Sequence, residues 1–414
     1  MKILIPNIGS TSFKYRLLEM PEIDRSDDER PGEPAQGEKV FAAGRVERIG
    51  QPGGECADYP AAIRKCLSEI AGPGKALASL SEIAAVGFKA VHTGPLNAPQ
   101  IVDDKFLAAM EEFVFLAPAH NPPYIAAMKA FRQELPGVPL VAVMEPFPYR
   151  FMDEASTTYA VPYDWRTEHG IRRYGFHGAS HRSASERTQA LLGRPDHLRI
   201  DLRHISCHLG GSSSVAAFRN AVAIEVSMGA SPQSGLPQCN RVGDIDVFAV
   251  LHMMKKLDMG PDEMAKLLGS ESGLAGISGT SGDLRDLEEA AAKGSARARL
   301  ALDVYVRAIR HYVGAFMLEL GGLDVITFSG GIGENSAAIR AGVLRGMAAF
   351  GVELDEEKNA AVKGEGEIST VCSKVKVLVI PANEESIVAR ETVAVVKKTR
   401  EQAVLAKLGS MLGG

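Results

Sequence analysis

The sequence predicts an α/β fold built from two similar domains. Three observations carry that expectation: a chain of 414 residues, apolar strand patterns alternating with helical ones, and a short segment that occurs twice. A chain this long exceeds what one ordinary hydrophobic core organises, so two domains are expected.

The repeat is the most specific of the three. Ile3-Leu4-Ile5-Pro6-Asn7-Ile8-Gly9-Ser10-Thr11-Ser12-Phe13 aligns without gaps on Ile205-Ser206-Cys207-His208-Leu209-Gly210-Gly211-Ser212-Ser213-Ser214-Val215, 202 residues later. Each copy is an apolar run, a Gly/Ser turn and a second apolar run, the pattern of a β-hairpin. Small turn residues let backbone N–H groups approach a ligand, and a nest of N–H and hydroxyl donors suits phosphate oxygens. One such hairpin is most often just a turn. Two of them half a chain apart suggest two domains facing each other across a nucleotide.

Strand patterns follow at 84–92, 138–145, 204–209, 221–226, 324–330 and 374–382, and helical patterns at 124–135, 182–192, 262–268 and 336–347. Strands alternating with helices indicate α/β layers. Residues 21–39, rich in Pro, Gly and acid, read as an exposed loop. The Ala/Leu/Arg-rich stretch 284–320 is expected to split at Gly294-Ser295. Its apolar positions, such as Leu302 and Ile309, read as core or dimer contact.

Composition narrows the function classes. Apolar residues make up 45% of the chain and the net charge is −5, which describes a soluble globular protein. No basic block exceeds a few residues, so neither nucleic acid nor a membrane surface is expected as a partner. The apolar start is too short for a signal peptide, and no apolar run reaches the roughly 20 residues that span a bilayer. Five scattered cysteines without a CxxC pair argue for a reducing compartment and against structural zinc. A cytoplasmic protein is expected.

The motifs that carry chemistry begin with Asn7-x-Gly9-Ser10-x-Ser12-x-Lys14, His120-Asn121-Pro122 and the run from Ile171 through Phe176, His177 and His181. Next come Cys207-His208-Leu209-Gly210, Arg241-x-Gly243-Asp244-Ile245-Asp246 and Ser281-Gly282-Asp283-Leu284-Arg285. The last are Gly330-Gly331-Ile332-Gly333-Glu334-Asn335 and Pro381-Ala382-Asn383-Glu384-Glu385. Together and in this order they resemble the acetate kinase family, within the actin, sugar kinase and heat-shock ATPase superfamily, from Asn7 to about Arg390.

That resemblance implies two actin-like domains, 1–150 with 383–414 and 151–382, and a nucleotide cleft between them. The second domain would bind nucleotide and form a homodimer. It implies reversible transfer of the ATP γ-phosphoryl to acetate or a somewhat longer carboxylate, giving an acyl phosphate and ADP. Such transfer needs in-line positioning, Mg²⁺ and positive charge around the moving phosphoryl oxygens. The family pattern assigns Arg241 and His177 to the transition state, with Glu145 as the catalytic carboxylate. It assigns ATP to Lys14, Ser10, Ser12, His208, Leu209, Gly210, Gly211, Ser212, Asp283, Leu284, Arg285, Gly331, Ile332, Gly333, Glu334 and Asn335. Asn7 and Glu384 are the Mg²⁺ positions, and oxygen donors suit that hard cation. The His177/His181 spacing alone would also suit a metal pair, but no third ligand pattern accompanies it, and His181 reads as structural.

Departures from the family pattern cluster around the acyl acceptor. Lys89 replaces an arginine, keeping the charge but losing the planar fork that holds carboxylates bidentately. Glu145 replaces an aspartate, Tyr149 a histidine, and Ala119 a leucine. Val91, Phe176 and Pro232 keep the rest of the small pocket, with His120 beside it. Gly211 and Ser212 stand where the family has Asn-Gly. The reading is an active carboxylate kinase with altered acceptor preference. The alternative is a nucleotide-binding relative with little transfer activity and a regulatory role.

Overall fold

The computed structural model describes residues 1–9, 12–21, 38–192 and 201–412. The chain divides into two compact units, 1–147 with 383–414 and 148–382. Each contains one six-stranded sheet.

Unit 1 holds β1 (Lys2–Ile8), β2 (Ser12–Glu19), β3 (Lys39–Glu47), β4 (Ile83–Ala90), β5 (Gln100–Ile101) and β6 (Leu140–Met144), in the order β3-β2-β1-β4-β6-β5. Unit 2 holds β7 (Arg203–Leu209), β8 (Ser213–Arg219), β9 (Val222–Val226), β10 (Val325–Ser329), β11 (Gly366–Glu367) and β12 (Lys376–Val379), in the order β9-β8-β7-β10-β12-β11. The two orders are the same topology. An antiparallel meander of three strands continues into two parallel strands and ends on a short antiparallel edge. Both units are actin-like α/β domains.

The repeated hairpins form, but their register is not that of the ungapped alignment. β1 and β7 share the same burial pattern over seven residues, beginning at Lys2 and Arg203, which is a spacing of 201 rather than 202. Ile8 pairs with Phe13 across four turn residues, whereas Leu209 pairs with Ser213 across three. A run of similar small residues lets an alignment slide by one, while in a sheet that slide exchanges the two faces.

Unit 1 buries both faces of its central strands. Leu4, Ile8, Val86, Phe88, Ala142 and Met144 join a core that includes helices Tyr59–Ile70, Asp104–Glu112 and Asn121–Glu134. Their neighbours Ile3, Ile5, Ala85, Val141 and Val143 pack on Val388, Ala389, Val393 and Val396 of the last helix, Glu384–Leu412. Burial on both faces is why these strands read as unbroken apolar runs. In unit 2, Ile205, Cys207, Leu209, Ile326, Phe328 and Val377 face helix Ala296–Glu319 through Ala301, Tyr305, Ile309 and Val313. The opposite face of β7 and β8 is partly polar and meets helix Gly178–Leu191.

Several boundaries differ from the sequence patterns for identifiable reasons. The helix expected from 124 begins at Asn121, because Pro122 and Pro123 occupy its first turn, where a missing N–H costs nothing. The 284–320 stretch splits into Leu284–Ala292 and Ala296–Glu319, with Gly294 at φ 94° between them. β3 starts at Lys39, the end of the expected loop; it is an edge strand whose mixed exposure leaves no clean period. Most of that loop lies outside the described residues. None of the described helices is long and apolar enough to cross a membrane.

Two buried histidines make unit 2 sensitive to acid. Burial pushes the His204 imidazole down to about 3, and its Nε2 lies 2.9 Å from Thr327 Oγ1. Burial, with His208 and His204 nearby, also holds His181 well below the ordinary range. The unfolded chain takes up these protons near pH 6.5 and the native chain does not. Their contribution is therefore complete above about pH 6.5 and is lost as pH falls toward 3. Urea unfolding at pH 7 and pH 5 should show a loss on the order of 2 kcal/mol attributable to His204. His204→Gln should flatten that dependence; an unchanged slope would assign the acid sensitivity elsewhere.

Candidate functional site

In unit 1 the candidate residues gather where the parallel strands end. The β1–β4 register, carried forward from Leu4 opposite Val86, brings Asn7 level with Lys89, and Lys89 lies beside Val143 of β6. Glu145 follows β6, where its N–H donates to the Ala90 carbonyl at 2.9 Å. Ligand sites in open α/β sheets form at such carboxyl ends. Lys14 is exposed on β2 directly opposite Asn7. The turn beneath is tight: Gly9 N–H donates to the Ser12 carbonyl at 2.9 Å, and a Cβ on Gly9 would lie 2.6 Å from Ser12 Oγ. Ser10 lies outside the described residues.

Lys89 is the electrostatic centre of this cluster. Its ammonium donates to Glu384 Oε2 and lies 3.6 Å from Glu145 Oε1. Burial opposes the charge, but Glu384 and then Glu145 outweigh it and hold the lysine above its ordinary range. Tyr124, whose hydroxyl lies 3.5 Å from Ile8 N, borders the same group, and burial pushes its phenol up to about 12. Two carboxyl groups flank one ammonium, so the cluster offers oxygen donors to a further cation. Among the described residues no group of three or more His, Cys, Asp or Glu side chains could hold a metal ion. A hard cation here would therefore draw on the two carboxylates, the Asn7 amide and water. That all-oxygen donor set fits Mg²⁺, which normally retains several waters. Also in unit 1, Val91 is buried, His120 is half-buried at the start of helix Asn121–Glu134, and Ala119 is exposed.

Unit 2 gathers histidines on the polar face of β7 and β8. His177 caps helix Gly178–Leu191 with a left-handed backbone, φ 56°. Its Nδ1 lies 2.7 Å from Ser214 Oγ, and its ring centroid 4.4 Å from that of His208. His208 Nδ1 is 2.7 Å from Ser180 Oγ. Arg241 is half-buried; its Nη1 donates to Ser212 Oγ and Gln238 Oε1, both at 3.2 Å. Burial works against its charge. Pro232 and Phe176 are buried, and the Phe176 carbonyl accepts from Tyr149 Oη at 2.8 Å. Tyr149 thus braces the backbone at Phe176.

Parallel pairing of β7 with β10 sets Ser329 beside His208 and so joins two glycine turns. Leu209 ends β7 fully buried, followed by Gly210, Gly211 and Ser212. Gly331, Ile332, Gly333, Glu334 and Asn335 belong to the short helix Gly330–Asn335. Gly330, at φ 78°, comes so close to β7 that a Cβ would lie 2.6 Å from the Leu209 carbonyl oxygen. Glu334 Oε1 accepts from Gly330 N–H at 2.9 Å and Ala382 N–H at 3.1 Å, and Asn335 Nδ2 donates to the Gly331 carbonyl. Asp283 caps the helix that begins at the buried Leu284. It accepts from the Arg285 N–H and, bidentately, from its guanidinium, which hold its carboxyl down to about 2.

The sequence pattern of the acetokinase family matches residues 2–390. The chain belongs to the acetokinase family. It is 40% identical over 408 residues to the acetate kinase of Shouchella clausii (strain KSM-K16), covering 95% of this chain and 98% of that protein. The acetate kinase of Clostridium botulinum (strain Kyoto / Type A2) is also 40% identical, covering 96% and 100%. The crystal structure of Porphyromonas gingivalis acetate kinase superposes with a TM-score of 0.81 at 36% identity, over 95% of this chain and 99% of that one. A propionate kinase from Francisella tularensis gives the same TM-score at 29% identity, over 94% and 98%. Membership makes the chain an ATP-dependent phosphotransferase with a carboxyl group as acceptor.

Sequence reasoning missed the residues that act through others in this acetokinase. Arg340 is fully buried and donates through Nη1 to the Gly333 and Glu334 carbonyls at 2.9 and 3.0 Å, clamping the glycine turn. Its other bonds go to Asn359. An arginine inside a helical run carries no signal of this. Tyr124 was equally silent.

Removing the Lys89 charge would take an ion-pair partner from two acids in a largely buried site. Lys89→Met should destabilise the protein by on the order of 3 kcal/mol, the usual cost of breaking a buried ion pair from one side. Urea unfolding at pH 7 measures it, and a loss below 0.5 kcal/mol on that order-of-magnitude scale would show the acids are neutral or well solvated.

Proposed function

We propose that this acetokinase reversibly transfers the γ-phosphoryl of ATP to acetate or a somewhat longer short-chain acid, giving an acyl phosphate and ADP. The observation that carries this reading is the pair of prepared clusters. Unit 2 holds a half-buried arginine bonded to Ser212 and histidines bonded to Ser214 and Ser180, and unit 1 an ammonium set among carboxylates. Phosphoryl transfer asks little covalent chemistry of a protein; it asks for position and charge.

Each residue has a task in that scheme. Arg241 spreads positive charge over the equatorial phosphoryl oxygens, and Ser212 and Gln238 fix its guanidinium beforehand. His177 donates to the same group, and His208 to nucleotide phosphate. Lys14, Ser10, Ser12, the backbone of 209–212 and the turn 331–335 cradle the nucleotide, with Asp283, Leu284 and Arg285 at its far end. Asn7 and Glu384 would hold Mg²⁺, which would supply positive charge to the phosphates. Lys89 keeps donor capacity beyond its glutamate contacts, because an ammonium carries three N–H bonds. That capacity serves the acceptor carboxylate, and Glu145 orients it. Val91, Ala119 and His120 of unit 1, and Phe176 and Pro232 of unit 2, are the candidates for contact with the acyl chain.

The molecule is a homodimer joined through unit 2. Helix Val247–Leu257 supports this: it has no buried residue, and Phe248 is 76% and Val247 61% exposed. An apolar face of that kind marks an association surface. Function in the cytoplasm follows from the nucleotide and the free cysteines.

Arg241→Ala should lower turnover by about 10²-fold or more, as loss of one preorganised charge donor usually does. Steady-state kinetics with MgATP and acetate measure this, and full turnover would remove Arg241 from the mechanism.

Ala119 stands where the family pattern has leucine, which leaves room for extra carbons. One buried methylene is worth about 0.8 kcal/mol, so each carbon that fills the space should improve discrimination about fourfold. A panel of C2 to C6 acids, trapped as hydroxamates, should place propionate or a longer acid level with acetate or ahead of it. Ala119→Leu should restore the preference for acetate. A strong acetate preference that ignores this substitution would refute the pocket reading.

A further inference from the structure

Four side chains in unit 2 form an unbroken line of hydrogen bonds. Ser206 Oγ lies 2.8 Å from His181 Nδ1, His181 Nε2 lies 2.8 Å from Ser214 Oγ, and Ser214 Oγ lies 2.7 Å from His177 Nδ1. The strands explain the alignment. Ser206 and His208 are two apart on β7 and share a face, and Ser214 sits directly across from His208 on β8. His177 and His181 come to that face one helical turn apart, at the start of helix Gly178–Leu191. Ser206, His181 and Ser214 are each fully buried. Their hydrogen bonds are therefore made to one another, with no solvent to exchange for them.

We propose that Ser206, His181 and Ser214 form a polarised chain that fixes His177 with its ring proton on Nε2, which makes them positioning residues for phosphoryl transfer. The inference rests on the reading of His177 as a donor to the phosphoryl group.

The tautomer logic follows from counting protons. A neutral imidazole has one N–H and one acceptor nitrogen, and a hydroxyl has one proton to give. With Ser214 donating one bond and accepting the other, two arrangements satisfy the chain. In one, Ser206 donates to His181 Nδ1, His181 Nε2–H donates to Ser214, and Ser214 donates to His177 Nδ1. His177 then carries its proton on Nε2. In the other every bond is reversed, His177 Nδ1 carries the proton, and its Nε2 is a bare acceptor that repels phosphate. An anionic ligand at His177 selects the first, because each donor then points toward the negative charge. Bonds aligned head to tail polarise one another and strengthen the chain. Burial keeps His181 neutral, which preserves the single-proton count. His208, held at Nδ1 by Ser180, has the same arrangement in a shorter form.

The test pairs a spectroscopic readout with kinetics. In MgATP-saturated protein with ¹⁵N-labelled histidine rings, His177, assigned with His177→Gln, should appear as the Nε2–H tautomer. Ser214→Ala should convert that signal to a mixture and lower kcat about tenfold, with KM for ATP and for the acid changed less than twofold. Ser214→Thr, which keeps the hydroxyl, should bring kcat back to within threefold of the native value. If Ser214→Ala does not fold, Ser206→Ala at the far end carries both readouts, with kcat down about threefold. A folded Ser214→Ala protein with native kcat and an unchanged Nε2–H signal, alongside an inactive His177→Gln, would overturn the chain alone. Full turnover by His177→Gln would overturn the role of His177 and the chain with it.

Discussion

The pairing of a parallel strand beside the hairpin is the constraint on which both units depend. In unit 2, β7 bonds antiparallel to β8 and parallel to β10. The first bond line makes the Gly/Ser turn, and the second sets the glycine helix Gly330–Asn335 against it. Gly330 can follow β10 so closely only because it has no side chain to meet Leu209. In unit 1 the same arrangement of β1, β2 and β4 sets Asn7 between Lys14 and Lys89. Sheet geometry thus delivers the chemical groups to the strand ends, and the local charges tune them afterwards.

Much of this was legible in the sequence because each signal was local. The doubled apolar-turn-apolar segment announced two domains, and unbroken apolar runs announced strands covered on both faces. The candidate nucleotide-binding residues lie in compact motifs such as His208-Leu209-Gly210 and Gly331-Ile332-Gly333. What stayed hidden is the set of residues that meet only in three dimensions. Arg340 reaches back across a turn to two carbonyls, and Tyr124 reaches from a helix to Ile8. Ser214 sat inside the repeat, yet the alignment placed it opposite the wrong residue. A one-residue difference in turn length cannot be read from a string of serines and glycines.

The departures from the family pattern acquire a physical setting. Lysine at 89 gathers two glutamates that a planar guanidinium would address differently, and the longer side chain of Glu145 reaches toward that same ammonium. Tyr149 spends its hydroxyl on the Phe176 carbonyl. Lys89 and Glu145 touch each other, so the charge geometry at the two positions is coupled.

Unit 1 is made from both ends of the chain, and that has a consequence for synthesis. On the ribosome its sheet emerges first, but Ile3, Ile5, Ala85, Val141 and Val143 lack their covering helix until residues 384–412 arrive. Unit 2 is continuous and can close while that face is still bare. Unit 1, whose sheet is synthesised before unit 2, is thus completed after it. For the interval between, an apolar sheet surface stands open to aggregation or to a chaperone.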